Sequence, residues 1–277
     1  MILFHIAGRK KKKADVRKFH TVTTDDASVV IENVRINKFL SDSGVCSRRE
    51  ADRLVEDGRV TVDGIVAAVG MHIPCGSKVC IDGKEINSVP GTILIAVNKP
   101  KGIVCTTKST EKNDIVNFIN YPERIYPIGR LDKDSEGLIL MTNDGDIVNR
   151  MMRSRYGHEK EYIVTVHKTI TKTFIEKMGS GVPVLGTVTK RCAVERIGNK
   201  KFRIVLTQGM NRQIRRMCEH LGYEVTSLKR IRILNIELGG LKEGGYRDLT
   251  KEEKRILFGI IEGSEESSSA GTCAKIS

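Results

Sequence analysis

The residue types best suited to chemistry are concentrated in Gly129-Arg130-Leu131-Asp132-Lys133-Asp134-Ser135, a polar, turn-prone knot. The apolar run Leu138, Ile139, Leu140, Met141 follows it, and then Thr142-Asn143-Asp144-Gly145, a turn signal that ends a buried strand. A carboxylate two residues from an arginine, just ahead of a buried strand, is where a pocket acid can be held ionised by a fixed cation. For a bare Arg-Leu-Asp triplet, a surface loop with a local salt bridge is the simpler reading.

Other stretches must place that carboxylate. Ile93 to Val97 is a buried-strand run, and Asn98-Lys99-Pro100-Lys101-Gly102 after it is a turn set by Pro and Gly, which is explanation enough for its lysines. Asp146 to Met152 is predicted as a helix. Glu161 to Val166 alternates like a half-buried strand, and its Tyr162 alone reads as a packing residue. Phe202 to Leu206 reads as a strand and Gln208-Gly209 as a turn. Met210, Ile214, Met217, Cys218 and Leu221 then mark the buried face of a helix. Arg212, Arg215 and Arg216 fall off that face near its N-terminal half, where unpaired N–H groups already attract phosphate.

The N-terminal part has its own logic. Ile36, Phe39 and Leu40 have helical spacing, stopped by Gly44. Ser47 and Glu50 form a capping-box pattern before the apolar stripe Ala51, Leu54, Val55, and Gly58 closes that helix. Arg49 and Arg53 lie one turn apart on it, with Arg48 adjacent. Val60 to Val66, turning at Asp63-Gly64, reads as a hairpin. RINKFLSDSGVCSRREADRLVEDGRVTVDG resembles the S4 RNA-binding domain, which implies phosphate contacts for Arg48, Arg49 and Arg53.

Forty-seven Lys+Arg against 34 Asp+Glu give a net charge of +13. A polyanionic partner follows, though charge alone does not separate RNA, DNA and an acidic membrane surface. No stretch approaches the roughly 18 apolar residues of a membrane span, and the opening MILFHIA has its basic cluster on the wrong side for a secretory signal. Seven scattered cysteines without a C-x-x-C pair suggest reduced thiols in the cytoplasm, not a disulfide framework or zinc site. Residues 1–33 read as a flexible basic tail, 34–84 as the S4 domain, 85–92 as a linker, 93–261 as a second domain and 262–277 as a disordered tail.

The full string G-R-L-D-x-x-S-x-G-L, with T-N-D-G beyond it, resembles the signature of the RsuA/RluB/RluE/RluF family of pseudouridine synthases. Gly209 to Met217 satisfies that family's G-x-x-x-Q-[IV]-[RK]-R-M motif, with Gln208 where an acidic residue is common, and looks most like the RluF branch, which modifies large-subunit ribosomal RNA. The resemblance spans about residues 35 to 250. It implies an α+β protein, an S4 domain followed by a mixed, largely antiparallel sheet flanked by helices. The implied reaction needs no cofactor and no metal: uridine's N1–C1′ bond is exchanged for a C5–C1′ bond. The implied catalytic residues are Asp132 as nucleophile, Tyr162 stacked on the flipped base, and Arg215 as the cation beside Asp132. Arg130 is expected in the space the uridine vacates, and Leu131, Lys133, Asn211, Arg212, Gln213 and Ile214 against the RNA. Attack at C6, attack at C1′ and abstraction of a sugar proton all remain open for Asp132. The expected partner is ribosomal RNA of the large subunit, a tRNA anticodon loop being an additional or alternative target, and the expected state is a monomer. A non-catalytic S4 protein acting in ribosome assembly is the competing class.

Overall fold

The computed structural model describes residues 33–270, except 75, 88–90, 107–112 and 154–156. The basic stretch expected as an N-terminal tail lies outside the described residues, as does 271–277.

The first unit runs β1 (Val34–Arg35), α1 (Ile36–Asp42), α2 (Arg48–Glu56), β2 (Val60–Val62), β3 (Ile65–Val66), β4 (His72–Ile73), β5 (Val79–Ile81) and β6 (Lys84–Glu85). Its two helices pack over a four-stranded sheet ordered β3-β2-β5-β6, around a core that includes Ile36, Leu40, Ala51, Val55 and Ile73. The capping box is formed: Ser47 Oγ accepts from the Glu50 N–H, and Glu50 returns a carboxylate oxygen to the Ser47 N–H. Arg48, Arg49 and Arg53 are exposed. β6 carries this unit one residue further than the predicted linker boundary.

The second unit begins β7 (Leu94–Lys99), α3 (Ile115–Ile119), β8 (Tyr126–Ile128), β9 (Glu136–Thr142), α4 (Gly145–Met152), β10 (Lys160–Val166), α5 (Lys172–Ser180), β11 (Pro183–Val184), β12 (Thr187–Val188) and β13 (Ala193–Arg196). It continues β14 (Lys201–Leu206), α6 (Gln213–His220), β15 (Val225–Ile233), β16 (Ile236–Glu237), β17 (Tyr246–Asp248) and α7 (Lys251–Ala270). Nine strands form one mixed sheet, β13-β14-β10-β15-β9-β7-β17, with β8 against β9 and β16 against β15. Every pairing in it is antiparallel except β9 with β15. β7 is buried along its whole length and β9 at all but its first residue, as continuous apolar runs in a covered sheet should be.

Two sequence expectations are corrected. Residues 262–270 do not begin a disordered tail, because α7 runs on to Ala270. Its start is fixed by a Thr250/Glu253 capping box, by Arg247 gripping both oxygens of Glu253, and by burial of Leu257 and Ile261. Once nucleated, a helix extends cheaply through a Glu-containing segment that composition alone marks as unstructured. The other correction concerns Arg212, predicted on the helix. Helix α6 starts one residue later, and Arg212 is its left-handed N-cap at φ +50.

Candidate active site

The loop carrying Asp132 is pinned residue by residue. The Leu131 N–H donates to Cys105 Sγ at 3.3 Å, and the Leu131 side chain is buried. The Asp132 carbonyl accepts from the Ser135 N–H at 3.0 Å. The Lys133 carbonyl accepts from Gly102 in the Lys-Pro turn at 2.8 Å, and the Asp134 carbonyl from Arg215 Nη2 at 2.9 Å. That turn is itself held by Lys99, a fully buried lysine whose Nζ donates to the Pro100 and Ile103 carbonyls at 2.8 Å each. Burial lowers the Lys99 pKa, against the pull of Cys105, Asp132, Asp134 and Glu136. The lysine of the turn is therefore a strut under the Asp132 loop, a role the sequence did not reveal.

Asp132 opens into a cleft of ≈ 380 Å³, within the roughly 300–1,000 Å³ of small-molecule sites. Arg130, Tyr162, Gly209, Asn211, Arg212 and Arg230 also line it. A larger cleft of ≈ 580 Å³ lies beside α5, lined by residues such as Phe174, Lys177 and Tyr223, and holds none of the predicted site residues. Of these two clefts, it is the smaller that joins the three motif stretches.

The expected Asp132–Arg215 pair takes a different form. Arg215 donates from its two Nη groups to the Asp134 and Val225 carbonyls and to Ser135 Oγ, while its buried Nε has no hydrogen-bond partner among the described residues. Among the described residues, the guanidinium within ion-pair reach of Asp132 is Arg212, at 3.9 Å, which also stands 3.6 Å from Asp134. Arg212 reaches them from a left-handed backbone that a non-glycine residue adopts at a cost of about 1 kcal/mol or more. Arg215 still feels Asp134 and Asp132, which oppose the lowering of its pKa by burial and by Arg212.

The residues expected against RNA divide into two groups. Arg130, Lys133, Asn211 and Arg212 are exposed. Leu131, Gln213 and Ile214 are buried parts of the wall: Gln213 is 4% exposed, and its Oε1 accepts from the Met210 N–H at 3.0 Å. Gln213 thus fixes the loop ahead of α6 and has little surface to offer a phosphate. Gly209 has no atom within 4 Å of where a Cβ would stand, so the fold itself does not require glycine there and the cleft rim is left open to a close backbone approach.

Lys160, His158 and Arg230 also line the cleft, and none was predicted as a site residue. Burial first, and Arg230 second, draw the Lys160 pKa down to about 8. A lysine depressed in the folded state penalises folding wherever it is charged there, below about pH 8. The penalty fades between pH 8 and the ordinary value of 10.5, above which both states are neutral. Lys160→Met should therefore raise stability by about 2–3 kcal/mol at pH 7, with the gain vanishing above about pH 10. Urea unfolding at the two pH values measures this, and an equal gain at both would contradict it.

Over residues 93–220 the chain matches the RNA pseudouridylate synthase family, and over residues 34–74 the S4 domain. The dual-specificity RNA pseudouridine synthase RluF of Salmonella typhi is 53% identical over 245 residues, 88% of this chain and 85% of that one. Ribosomal large subunit pseudouridine synthase B of Bacillus subtilis (strain 168) is 32% identical over 237 residues, 82% of this chain and 97% of that one. A crystal structure described as a pseudouridylate synthase is 27% identical, has a TM-score of 0.59, and covers 81% of this chain and 99% of its own.

Proposed function

The chain belongs to the RNA pseudouridine synthase family, and from that premise we propose that it isomerises a specific uridine in large-subunit ribosomal RNA, with a tRNA anticodon loop as a second target. Its relatives support the substrate: one is named as a dual-specificity RNA enzyme and another as a large-subunit enzyme. The non-catalytic assembly factor is not favoured beside 53% identity to a named synthase.

The observation that carries the assignment of roles is the meeting of Asp132 and Tyr162 in one cleft, with Arg212 at 3.9 Å from the carboxylate. Asp132 is the reacting carboxylate, with a side chain 32% exposed, open enough to meet a substrate. Tyr162, partly buried on β10, offers a flat face on which an extruded base stacks without being read. Arg215 positions the Asp132 loop through its backbone, while Arg212 supplies the nearby positive charge and reaches for the RNA once substrate enters. Arg130 and Lys133 stand at the cleft mouth, and the exposed Arg48, Arg49 and Arg53 of the S4 unit hold phosphates further along the RNA, so binding weakens steeply with salt. The enzyme works as a monomer in the cytoplasm, where these RNAs are. Among the described residues, no helix is long and apolar enough to cross a membrane.

The purified chain is to be incubated separately with unmodified large-subunit RNA, small-subunit RNA and tRNA, and each digested for nucleoside analysis. Conversion of one uridine in the large-subunit RNA and one in a tRNA anticodon loop is expected. Conversion in tRNA alone, or in small-subunit RNA alone, would remove the large-subunit assignment.

A further inference from the structure

The floor of the cleft contains a cation to which the roles above give no work. Arg230 is 2% exposed; its Nε donates to the Leu138 carbonyl at 2.6 Å, and its buried Nη2 has no hydrogen-bond partner among the described residues. In the sheet it stands opposite Tyr162 of β10 on one side and Gly137 of β9 on the other. It thus sits beside the tyrosine that would carry the base and next to the strand that follows the Asp132 loop. Lys160, two residues before Tyr162, lines the same cleft and donates to the His158 carbonyl at 3.2 Å. A buried guanidinium with an unused donor is costly, and an apolar side chain would fill this position more cheaply. Arg230 lines the substrate cleft, and a guanidinium there whose donors the protein does not fill is completed when the substrate brings an acceptor.

We propose that Arg230, with Lys160 beside it, is a further catalytic residue: its guanidinium donates to a uracil carbonyl oxygen and stabilises the negative charge the base carries once its bond to the sugar is broken. The proposal rests on the synthase reading above and deepens it. When the N1–C1′ bond breaks, its electron pair stays on N1 and spreads to O2 and O4. C1′ is then bonded to an Asp132 oxygen, or else the sugar has lost its C2′ proton to Asp132. In both cases one negative charge has moved from the carboxylate to uracil. Bond formation from C5 to C1′ returns the charge to Asp132; the C5 proton is then lost and N1 is protonated, so no atom is gained or lost. If Asp132 adds to C6 instead, the charge appears on O4, within the same class of acceptor. On every route a fixed cation at the carbonyl edge lowers the barrier, because it acts where charge develops.

The test is single-turnover pseudouridine formation by the full chain on its RNA, measured with RNA affinity and thermal melting for Arg230→Met, Arg230→Ala and Lys160→Met. Arg230→Met should lose roughly 10²–10³-fold in rate, as removal of a preorganised donor does, with RNA affinity and folding retained. Added guanidinium should restore part of the rate to Arg230→Ala, which a merely structural arginine would not allow. Turnover by Arg230→Met within a few-fold of wild type, or parallel loss of RNA binding and rate without rescue, would overturn the proposal. Should the Arg230 variants not fold, Lys160→Met decides: a slower chemical step with intact RNA affinity supports the charged floor, and an unchanged rate overturns it. If the wild-type chain converts no uridine, it is the synthase reading that fails, before any variant is compared.

Discussion

Asp132→Asn should leave a folded, RNA-binding protein whose pseudouridine formation has fallen by about 10⁴-fold or more, the scale seen when a nucleophile is removed from an intact site. The amide has nearly the shape of the carboxylate but neither its charge nor its nucleophilicity. The fold should barely register the change. The loop is held by main-chain bonds at Leu131, Asp132, Lys133 and Asp134, none of which uses the carboxylate. What is lost on the stability side is an ion pair at 3.9 Å between partly exposed groups, worth less than about 1 kcal/mol. Single-turnover kinetics with a gel-shift control measure the two effects separately. Turnover within about 100-fold of wild type would move the nucleophile elsewhere, Asp134 being the other acid within reach of Arg212 among the described residues, with a side chain 65% exposed.

The second large effect is on stability. Gly137, the glycine of the S-x-G-L string, has φ +101, and a Cβ there would lie 2.2 Å from the Arg230 carbonyl oxygen and 2.8 Å from its nitrogen. Both obstacles are backbone of the central strand β15, paired in parallel with β9 at this residue, so neither can swing aside. Gly137→Ala must therefore push two central strands apart or change its own backbone, and the combined strain and overpacking come to roughly 4 kcal/mol. Because Gly137 pairs with Lys99 on one side and Arg230 on the other, the disturbance reaches both the strut under the Asp132 loop and the cleft floor. A fall of about 4 kcal/mol in urea-unfolding stability is expected, together with lost activity. A stability change under about 1 kcal/mol would show that the two strands can separate at little cost.

Much of this architecture was legible because its signals are local. The capping box at Ser47, the Asp63-Gly64 turn and the unbroken apolar runs of β7 and β9 each announce an element from a handful of neighbouring residues. The motif strings led to Asp132 and Tyr162, and both line the cleft. What stayed hidden depends on partners far along the chain. Arg212 read as one more helical arginine because nothing nearby forecasts a left-handed residue; the two carboxylates it reaches are some 80 positions away. Gln213 read as an RNA contact because it is polar within a motif, whereas its amide closes the loop beginning at Met210. Arg230 left a faint trace. It has the same inward parity as Leu228 on β15, where a strand facing a core should carry an apolar side chain. A charge at such a position marks a buried requirement, and only the cross-strand register with Tyr162 says what that requirement is.

The most direct test of the central claim is a pseudouridine map of ribosomal and transfer RNA by carbodiimide labelling and primer extension. It compares cells lacking this chain with cells given back either the wild type or Asp132→Asn. Loss of a modification in large-subunit RNA, restored by the wild type and not by Asp132→Asn, is the predicted result, and a matching pattern in one tRNA anticodon loop would add the second target. A map identical in all three strains, or one restored equally by Asp132→Asn, would contradict the account at its centre.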